Sequence, residues 1–344
     1  MSQPRKTMSD LARMAGVNVS TVSRALNDSP LVREETKTEI LRIADEIGYS
    51  INAAARNLRR QSSETLALIT PFKRDAGEPA ADPFFLEMVG AVCQAAARRG
   101  YDLLVSTPEV ESAISEKRLL QTGRADGLII IGQAGREDRL NAITTFDNRI
   151  VVWGGRDGDT PYTLVGSDNR GGVDLALTHL IGLGRRRVLF VGDTDLPEIA
   201  LRYRGYEDAH ARAGLAVDPS LLLRIGFGQE VRRTGARLLA AREAGLRFDA
   251  VFAASDVLAI AVMDALRQAG LSVPGDVSVI GYDNVAQSAM ANPALTTVSQ
   301  NIAQGGELLV ETLLAKLDGE AVESRMTETS LIVRESCGAR ASVA

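Results

Sequence analysis

The 344-residue sequence has little of several residue types that define familiar classes of protein. It contains two cysteines, Cys93 and Cys337, which are too few and too far apart for a disulfide framework or a zinc site. No apolar run approaches the roughly 20 residues that span a bilayer, and no charged-then-apolar leader opens the chain. These absences predict a protein of the reducing cytoplasm that binds no metal and no membrane.

Histidines and catalytic motifs are scarce as well. The two histidines, His179 and His210, lie in helix-like runs with no cysteine or serine motif beside them. The H-E-x-x-H, G-x-S-x-G and Walker motifs are missing, and glycine patterns such as residues 132–135 lack the G-x-G-x-x-G spacing of a dinucleotide site. The sequence therefore predicts neither an enzyme nor a bound cofactor.

Charge is distributed unevenly along the chain. The formal net charge is −5, yet residues 1–63 hold ten Lys and Arg against seven Asp and Glu, whereas the remainder holds 29 against 37. A basic head on an acidic body favours a polyanion as the partner of the head. An imbalance of this size is equally compatible with chance, so the interpretation depends on motifs.

The N-terminal pattern predicts two short helices joined by a glycine turn. Ser9 or Asp10 can cap a first helix, and Gly16 supplies the turn that ends it. Asn18 can cap a second helix, and a third follows from about residue 33 to 47. The predicted apolar faces consist of Leu11, Ala12, Ala15, Val22, Ala25, Leu26, Ile40, Ile43, Ala44 and Ile47.

Two short helices braced by a third describe a helix-turn-helix unit. The second helix of such a unit enters the major groove of DNA, where its N-terminal residues meet base edges. A small polar face suits this task, and the predicted exposed face is Val19, Ser20, Ser23, Arg24 and Asn27. A generic three-helix bundle with a solvated polar face is the alternative.

The alanine-rich segment 52–60 is helix-prone but short. Its nine residues fall below the roughly 12 to 15 that an isolated helix needs. We therefore expect it to become helical when it docks on DNA. A solvated linker helix is the alternative.

From residue 65 onward, apolar runs alternate with amphipathic stretches. Near-continuous apolar strands separated by helices predict parallel sheets that are covered on both faces. The strands are too many for one comfortable sheet, so the α/β class with two doubly wound lobes is predicted. The predicted strands are 65–70, 101–107, 127–132, 149–154, 187–192, 250–254 and 277–282.

The residues that follow these strands are candidates for a binding site, because ligands of such sheets bind beyond the carboxyl ends of the strands. Carboxylates, an arginine and an amide can hold neighbouring hydroxyl groups, and aromatic faces can cover a sugar ring. The candidates are Phe84, Phe85, Trp153, Asp168, Arg202, Asp256, Asp283 and Gln300. The alternatives are core packing for the aromatic residues, helix capping for Asp168 and Asp256, and a surface ion pair for Arg202.

Two N-terminal stretches carry a resemblance to a known family. "TMSDLARMAGVNVSTVSRALND" (residues 7–28) and "GYSINAAARNL" (residues 48–58) resemble the DNA-binding head and hinge of the lactose/galactose-repressor (LacI/GalR) family. The resemblance continues through residues 165–192 and 252–284 and covers nearly the whole chain. It implies a DNA-binding transcriptional regulator, most often a repressor, with a periplasmic-binding-protein-like core.

The resemblance also implies which head and hinge residues contact DNA. Val19 and Ser20 match the variable positions that read operator bases, and Leu58 matches a wedge in the minor groove. Val19 offers only methyl contacts, so operator choice should depend more on Ser20 and Arg24. Ile51 stands where the family often has proline, so the hinge should order less readily. The implied DNA-binding set is Thr7, Val19, Ser20, Thr21, Ser23, Arg24, Asn27, Tyr49, Asn52, Ala55, Arg56, Leu58 and Arg59.

The expected organisation is a helix-turn-helix head, a hinge helix and a two-lobed core. The expected boundaries are 1–50 for the head, 51–63 for the hinge and 64–344 for the core, with a first lobe of 64–165 plus 294–322 and a second lobe of 166–293 plus 323–340. In the family, the positions that line the effector cleft match Phe85, Asp168, Arg202, Asp256, Asp283 and Gln300.

The expected function is a homodimeric repressor of carbohydrate-utilisation genes. Two heads read a near-palindromic operator, and a mono- or disaccharide between the lobes alters how the hinges pair on DNA. A co-repressor-dependent or activating regulator that responds to a non-sugar metabolite would use the same geometry. A transport-type binding protein would lack residues 1–63, and an architectural DNA protein would have no use for the cleft.

Overall fold

The structure is a computed structural model of the chain. It describes residues 6–26, 29–47, 49, 62–70, 82–107, 114–133, 137–155, 158–226 and 228–339. The chain divides between Ser63 and Glu64 into two compact units. The predicted hinge helix lies outside the described residues, and so do Asn27, Asn52, Ala55, Arg56, Leu58 and Arg59 of the predicted DNA-binding set.

The first unit contains the three helices that the sequence predicts. Their bounds are Met8–Met14 (α1), Val19–Leu26 (α2) and Glu34–Glu46 (α3). The N-cap of α1 is Thr7, and not Ser9 or Asp10 as expected: Thr7 Oγ1 accepts from the Asp10 N–H at 3.2 Å, and Asp10 Oδ2 accepts from the Thr7 N–H at 3.0 Å. Because this reciprocal capping box satisfies two N-terminal donors, α1 begins before its apolar pattern does.

Gly16 turns the chain between α1 and α2. Its φ of +66° is the left-handed conformation that glycine adopts without steric cost, and the Val17 N–H donates back to the Ala12 carbonyl at 3.1 Å. The turn brings the apolar faces of α1 and α2 together against α3. The resulting core consists of Leu11, Ala12, Val22, Ala25, Val32, Ile40, Ile43 and Ala44.

The second unit contains two sheets, which in the described residues have six strands each. The first sheet has the order β11-β5-β4-β3-β1-β2. Its strands are Thr65–Ile69 (β1), Asp102–Ser106 (β2), Gly127–Ile131 (β3), Ile150–Trp153 (β4), Thr163–Ser167 (β5) and Arg325–Thr327 (β11). All its pairings are parallel, with Leu66 opposite Gly127 and Leu128 opposite Ile150.

The second sheet has the order β12-β10-β9-β8-β6-β7. Its strands are Val188–Val191 (β6), Leu222–Leu223 (β7), Ala250–Ala253 (β8), Ser278–Asp283 (β9), Thr296–Ser299 (β10) and Ser330–Ile332 (β12). The edge strand β12 runs antiparallel to β10, and the other pairings are parallel. The predicted pair of doubly wound lobes is thus confirmed.

Helices cover both faces of each sheet. In chain order they are Pro83–Ala97 (α4), Ile114–Gln121 (α5), Glu137–Phe146 (α6), Asn169–Gly182 (α7), Pro197–Arg212 (α8), Thr234–Glu243 (α9), Asp256–Gln268 (α10), Ala286–Met290 (α11) and Ile302–Leu317 (α12). Helices α4 and α12 pack on one face of the first sheet, and α5 and α6 pack on the other. Helices α7 and α8 cover one face of the second sheet, and α9 and α10 cover the other. None of the described helices is long and apolar enough to cross a membrane.

The chain crosses between the lobes at places that differ from the expected boundaries. Residues 294–300 were expected in the first lobe, but β10 pairs with β9 in the second sheet, with Thr296 opposite Ile280. Residues 323–329 were expected in the second lobe, but β11 pairs with β5 in the first sheet, with Arg325 opposite Val165. Sheet membership depends on the partner strand, which the local sequence does not specify. The described crossings are therefore at 167–169, 299–302 and 327–330.

Candidate functional site

The face of α2 that carries the predicted base-reading residues is open to solvent. Val19 is 44% exposed, and Ser20 and Arg24 are also exposed. Val22 and Ala25 on the opposite face are buried in the head core. This separation follows from the helical repeat, because residues three and four apart share a face. Of the remaining described members of the set, Thr21 and Ser23 are partly buried on α2.

Thr7 and Tyr49 hold the head together in the structure. The Thr7 hydroxyl belongs to the capping box of α1 and donates to Asp10 Oδ2 at 2.7 Å. Tyr49 packs against the head core, and its N–H donates to the Ala44 carbonyl at 2.8 Å. Both residues therefore brace the helices, which is compatible with an additional contact to a phosphate.

In the core, Arg202 is at the centre of a buried polar cluster. It projects from α8 and is 6% exposed. Its Nε donates to Asn169 Oδ1 at 2.8 Å, and its Nη1 donates to the Ala254 carbonyl at 2.5 Å. The guanidinium carbon lies 3.7 Å from the centre of the Tyr282 ring, within the range of a cation–π contact. The surface ion pair that was the alternative for Arg202 is thereby excluded.

Asp283 and Gln300 complete this cluster at the carboxyl ends of β9 and β10. Asp283 Oδ1 lies 4.0 Å from Arg202 Nη1 and accepts from Gln300 Nε2 at 2.5 Å. Gln300 Oε1 in turn accepts from the Ser167 hydroxyl at 2.7 Å. Ser167 ends β5 of the first lobe, so the hydrogen-bond chain links both lobes. The structure therefore brings together three of the predicted cleft residues, namely Arg202, Asp283 and Gln300.

Burial controls the ionisation of the acidic groups around this cluster. It raises the pKa of Asp283 well above its ordinary value, and Arg202 opposes the rise. It also raises the pKa of Glu198 on α8, again opposed by Arg202. The pKa of Asp82, which caps α4, rises for the same reason, although the N–H groups of Phe84 and Phe85 counteract it. Several carboxyl groups thus accompany one arginine, an arrangement that can accept hydrogen bonds from hydroxyl groups.

The structure gives Asp256 different partners from those that the cleft prediction supposes. The residue is fully buried, its Oδ1 accepts from the Thr297 hydroxyl at 2.5 Å, and its Oδ2 accepts from the Val285 N–H at 2.9 Å. It is not the N-cap of α10 either, since Ser255 caps that helix through the Leu258 N–H. Burial raises the pKa of Asp256 to about 7. Both carboxyl oxygens are used within the second lobe.

Asp168 adopts the capping role that was its alternative interpretation. It is the N-cap of α7, its Oδ1 accepts from the Gly171 N–H at 2.9 Å, and the residue is exposed. The next residue, Asn169, supplies the side chain that contacts Arg202. A contact of Asp168 with an effector remains a prediction.

The aromatic candidates belong largely to the core of the first lobe. Phe85 and Trp153 are each 4% exposed, as their packing alternative supposed. A Cβ on Gly305 of α12 would lie 2.6 Å from Trp153 Cζ3, so the helix fits against this ring only because residue 305 is glycine. Phe84 is partly exposed, and its ring centre lies 6.1 Å from that of Trp153. Phe84 is thus the aromatic candidate best placed to meet a ligand.

Four residues of the cluster were missed in the sequence. They are Asp82, Asn169, Glu198 and Tyr282, and three of them directly adjoin predicted residues or motifs: "DPFF", "SDN" and "GYDN". Glu198 has no comparable signal, because it reaches the cleft through the position of α8. In the described part of the chain, no group of three His, Cys, Asp or Glu residues could hold a metal ion.

Comparisons with known proteins identify both units. The family model described as "Bacterial regulatory proteins, lacI family" matches residues 7–52, and the model described as "Periplasmic binding protein-like domain" matches residues 177–337. The chain is 33% identical over 341 residues to the HTH-type transcriptional regulator CelR of Thermobifida fusca, covering 96% of this chain and 98% of the relative. It is 31% identical over 330 residues to the HTH-type transcriptional repressor PurR of Aliivibrio fischeri, covering 94% and 95%. It is 30% identical over 336 residues to the ribose operon repressor of Escherichia coli, covering 96% and 98%.

Solved structures agree with these relatives. A complex of the transcriptional regulator CelR with cellobiose matches with a TM-score of 0.69 and 29% identity, over 96% of this chain and all of that one. The lac repressor dimer bound to operator and the anti-inducer ONPF matches with a TM-score of 0.84 over 98% of this chain and all of that one. At 24% identity the second comparison shows the fold.

Proposed function

The chain belongs to the lacI family of bacterial regulatory proteins and is a DNA-binding transcriptional regulator, and we propose that it is a cytoplasmic repressor controlled by a sugar-like effector. Membership of this family confirms the prediction that the chain is not an enzyme. The effector binds between the lobes and changes the affinity of the head for its operator. The genes under control are those of carbohydrate use.

The Arg202–Asp283–Gln300 cluster is the observation on which this proposal depends. Arg202 in the second turn of α8 meets Asp283 and Gln300 at the carboxyl ends of β9 and β10, and the Ser167 hydroxyl links the cluster to the first lobe. A charged donor, a carboxyl acceptor and an amide close together can hold adjacent hydroxyl groups of one ring. The partly exposed Phe84 supplies an apolar surface for the C–H face of such a ring.

The relatives support a sugar as the class of effector. CelR has been solved in complex with cellobiose, and another relative is named as a ribose operon repressor. Asp168 and Trp153 extend the proposed site, Asp168 from the start of α7 and Trp153 from behind Phe84. Asp256 supports the site from within the second lobe without touching the ligand.

On the DNA side, α2 reads one half of a near-palindromic operator and a second subunit reads the other half. Val19, Ser20 and Arg24 are the base-reading residues, Thr21 and Ser23 flank them, and Thr7 and Tyr49 contact phosphates. The remaining members of the predicted set are Asn27, Asn52, Ala55, Arg56, Leu58 and Arg59. Because many of these contacts reach phosphates, affinity should fall steeply with salt.

The effector acts by shifting the equilibrium between two arrangements of the lobes. It binds one arrangement of the lobes more tightly than the other, and only one arrangement lets the two hinges pair on DNA. The same coupling works in reverse, so operator DNA alters effector affinity by the same factor. An inducer and a co-repressor differ only in which arrangement they favour.

Two measurements test the proposal. A thermal-shift screen over mono- and disaccharides, including cellobiose and ribose, should find a sugar that raises the melting temperature, since a ligand at 100 times its Kd adds about 2.7 kcal/mol to the native state. A DNA duplex selected from a random pool is then titrated with and without each hit. If no sugar changes the affinity for the selected duplex, the proposed control is wrong.

The sign of the change separates the two modes of control. A fall in operator affinity identifies an inducer, and a rise identifies a co-repressor. Arg202→Leu should abolish the sugar-dependent shift. Arg267→Leu is the matched control, because Arg267 is exposed on α10 and pairs with Asp264 of the same helix.

A further inference from the structure

The turn at residues 283–286, which we call the latch turn, has an unusual backbone. Asp283 has a φ of +122° and Asn284 a φ of +59°. A non-glycine residue in this region of φ is strained, and it persists only where the surroundings hold it. The latch turn also carries Asp283 of the effector cluster, so whatever holds the turn sets the position of that carboxyl group.

Hydrogen bonds from residues of the second lobe hold the latch turn on one side. Asp256 accepts from the Val285 N–H at 2.9 Å and from the Thr297 hydroxyl at 2.5 Å. Arg334, which follows β12, donates from Nη2 to Asn284 Oδ1 at 2.7 Å. These bonds fix the turn to the lobe from which it emerges.

The first lobe holds the same turn from the opposite side. The Val285 side chain is 1% exposed and belongs to the core cluster of the first lobe, which includes Met88 and Ile302. The Ala286 N–H, at the start of α11, donates to Glu87 Oε1 of α4 at 2.8 Å. Helix α11 has no side-chain cap of its own, so the opposite lobe satisfies one of its N-terminal donors.

We propose that Glu87 is an interlobe positioning residue, which together with Val285 locks the latch turn when the lobes are closed and thereby aims Asp283 into the cleft. When the lobes separate, Val285 leaves the first-lobe core and the Ala286 N–H loses its acceptor. The left-handed backbone is then held from one side only, and Asp283 is no longer fixed against Gln300. Lobe closure and the effector site are therefore coupled through a few residues of backbone, without any ligand contact by Glu87.

This inference rests on the proposed role of Asp283 in effector binding, but its main test needs no effector. Amide hydrogen exchange is measured on the full-length protein, resolved to residues 284–290. Glu87→Ala should speed exchange of the Ala286 amide at least about tenfold, because the acceptor is lost. Glu87→Gln retains a carbonyl oxygen in the same place and should exchange within about twofold of the wild type.

Glu243→Ala is the matched control, because Glu243 is an exposed glutamate at the end of α9. It should leave exchange at Ala286 unchanged. Equal exchange in the wild type and Glu87→Ala would overturn the proposal, and so would a Glu87→Gln protein that exchanges as fast as Glu87→Ala. The proposal is supported only if the Ala286 amide exchanges more slowly in the wild type and in Glu87→Gln than in Glu87→Ala.

A second readout connects the latch turn to the site. For any sugar that stabilises the wild type in the thermal-shift screen, the Kd for Glu87→Ala should rise about tenfold and that for Glu87→Gln about twofold or less. An unchanged Kd in Glu87→Ala would overturn the link to Asp283. A protein that no sugar stabilises contradicts the proposed function, whereas the exchange result decides the latch turn by itself.

Discussion

The head and the second lobe arrange their functional polar groups in opposite ways. On α2 of the head, Ser20 and Arg24 project into solvent from a helix whose other face is buried. In the second lobe, Arg202 and Asp283 are almost wholly buried and are bonded to groups from several elements. The head thus presents an exposed polar surface, whereas the second lobe encloses its polar groups.

The difference has an energetic consequence. Exposed polar residues contribute little to folding, so changing them should affect binding alone. Buried, bonded groups leave partners without hydrogen bonds when they are removed, so changing them should affect stability and binding together. Substitutions in the two regions should therefore differ in whether they change stability, binding or both.

Arg202→Leu should lower the free energy of unfolding of the core by about 3–5 kcal/mol, because it leaves Asp283 and Asn169 buried without their cationic partner. Urea unfolding followed by circular dichroism measures this change. Arg267→Leu, on the surface of α10, should stay within about 0.5 kcal/mol of the wild type. Equal stability of the two variants would contradict the expectation that a buried, bonded polar group contributes more to stability than an exposed one.

Leu11→Ala should destabilise the head by about 2–5 kcal/mol, because Leu11 is fully buried where α1 meets α2. Calorimetry should show the head unfolding at lower temperature while the core transition stays in place, and DNA binding should weaken accordingly. Leu31→Ala, at a leucine that is 78% exposed, is the control. A shift of both transitions together would show that the two units do not unfold independently.

Arg24→Ala should weaken binding to the selected duplex by about 1–3 kcal/mol and relax the preference at one base position. Neither unfolding transition should move, because Arg24 is exposed on α2. Binding to duplexes changed at each position measures the effect. Equal weakening on every duplex would instead identify Arg24 as a phosphate contact.

Thr7→Ala should cost the head about 1 kcal/mol, because the capping box of α1 loses its hydroxyl. Thr7→Ser retains the hydroxyl and should recover most of the loss, as measured by the melting temperature of the head. If Thr7→Ala weakens DNA binding at a temperature where the head is fully folded, Thr7 also contacts the operator. A head that is as stable with alanine as with threonine would contradict the capping role.

The head is the region whose local structure follows most directly from its sequence. In the head, the turn at Gly16 and the buried stripe of Val22 and Ala25 were predicted correctly, because helices obey a local repeat and their faces follow from spacing. The N-cap of α1 was placed too late, because Thr7 lies outside the apolar pattern that served as a guide. Local rules thus predicted the face of α2 that is exposed to solvent.

The cluster in the core was only partly predictable. Asp283 and Gln300 lie at the carboxyl ends of strands, which is where ligands of parallel sheets bind, whereas Arg202 lies in the second turn of α8, which begins at Pro197. Asp256 also follows a strand, yet its side chain is buried, and its two carboxyl oxygens accept hydrogen bonds from the Thr297 hydroxyl and the Val285 N–H. Position after a strand indicates the edge of the sheet but not the direction of each side chain.

By itself, the sequence determined seven of the described strands (β1 to β4, β6, β8 and β9), the exposed face of α2 and the alternation that makes two largely parallel sheets. Only the tertiary structure decided which sheet takes β10 and β11, and that Glu87 and Val285 of opposite lobes meet at one turn. The physical reason is the separation along the chain between the residues that interact. Helix faces and strand alternation arise from neighbours a few residues apart, whereas sheet membership and interlobe contacts join residues up to about 200 positions apart, as with Glu87 and Ala286.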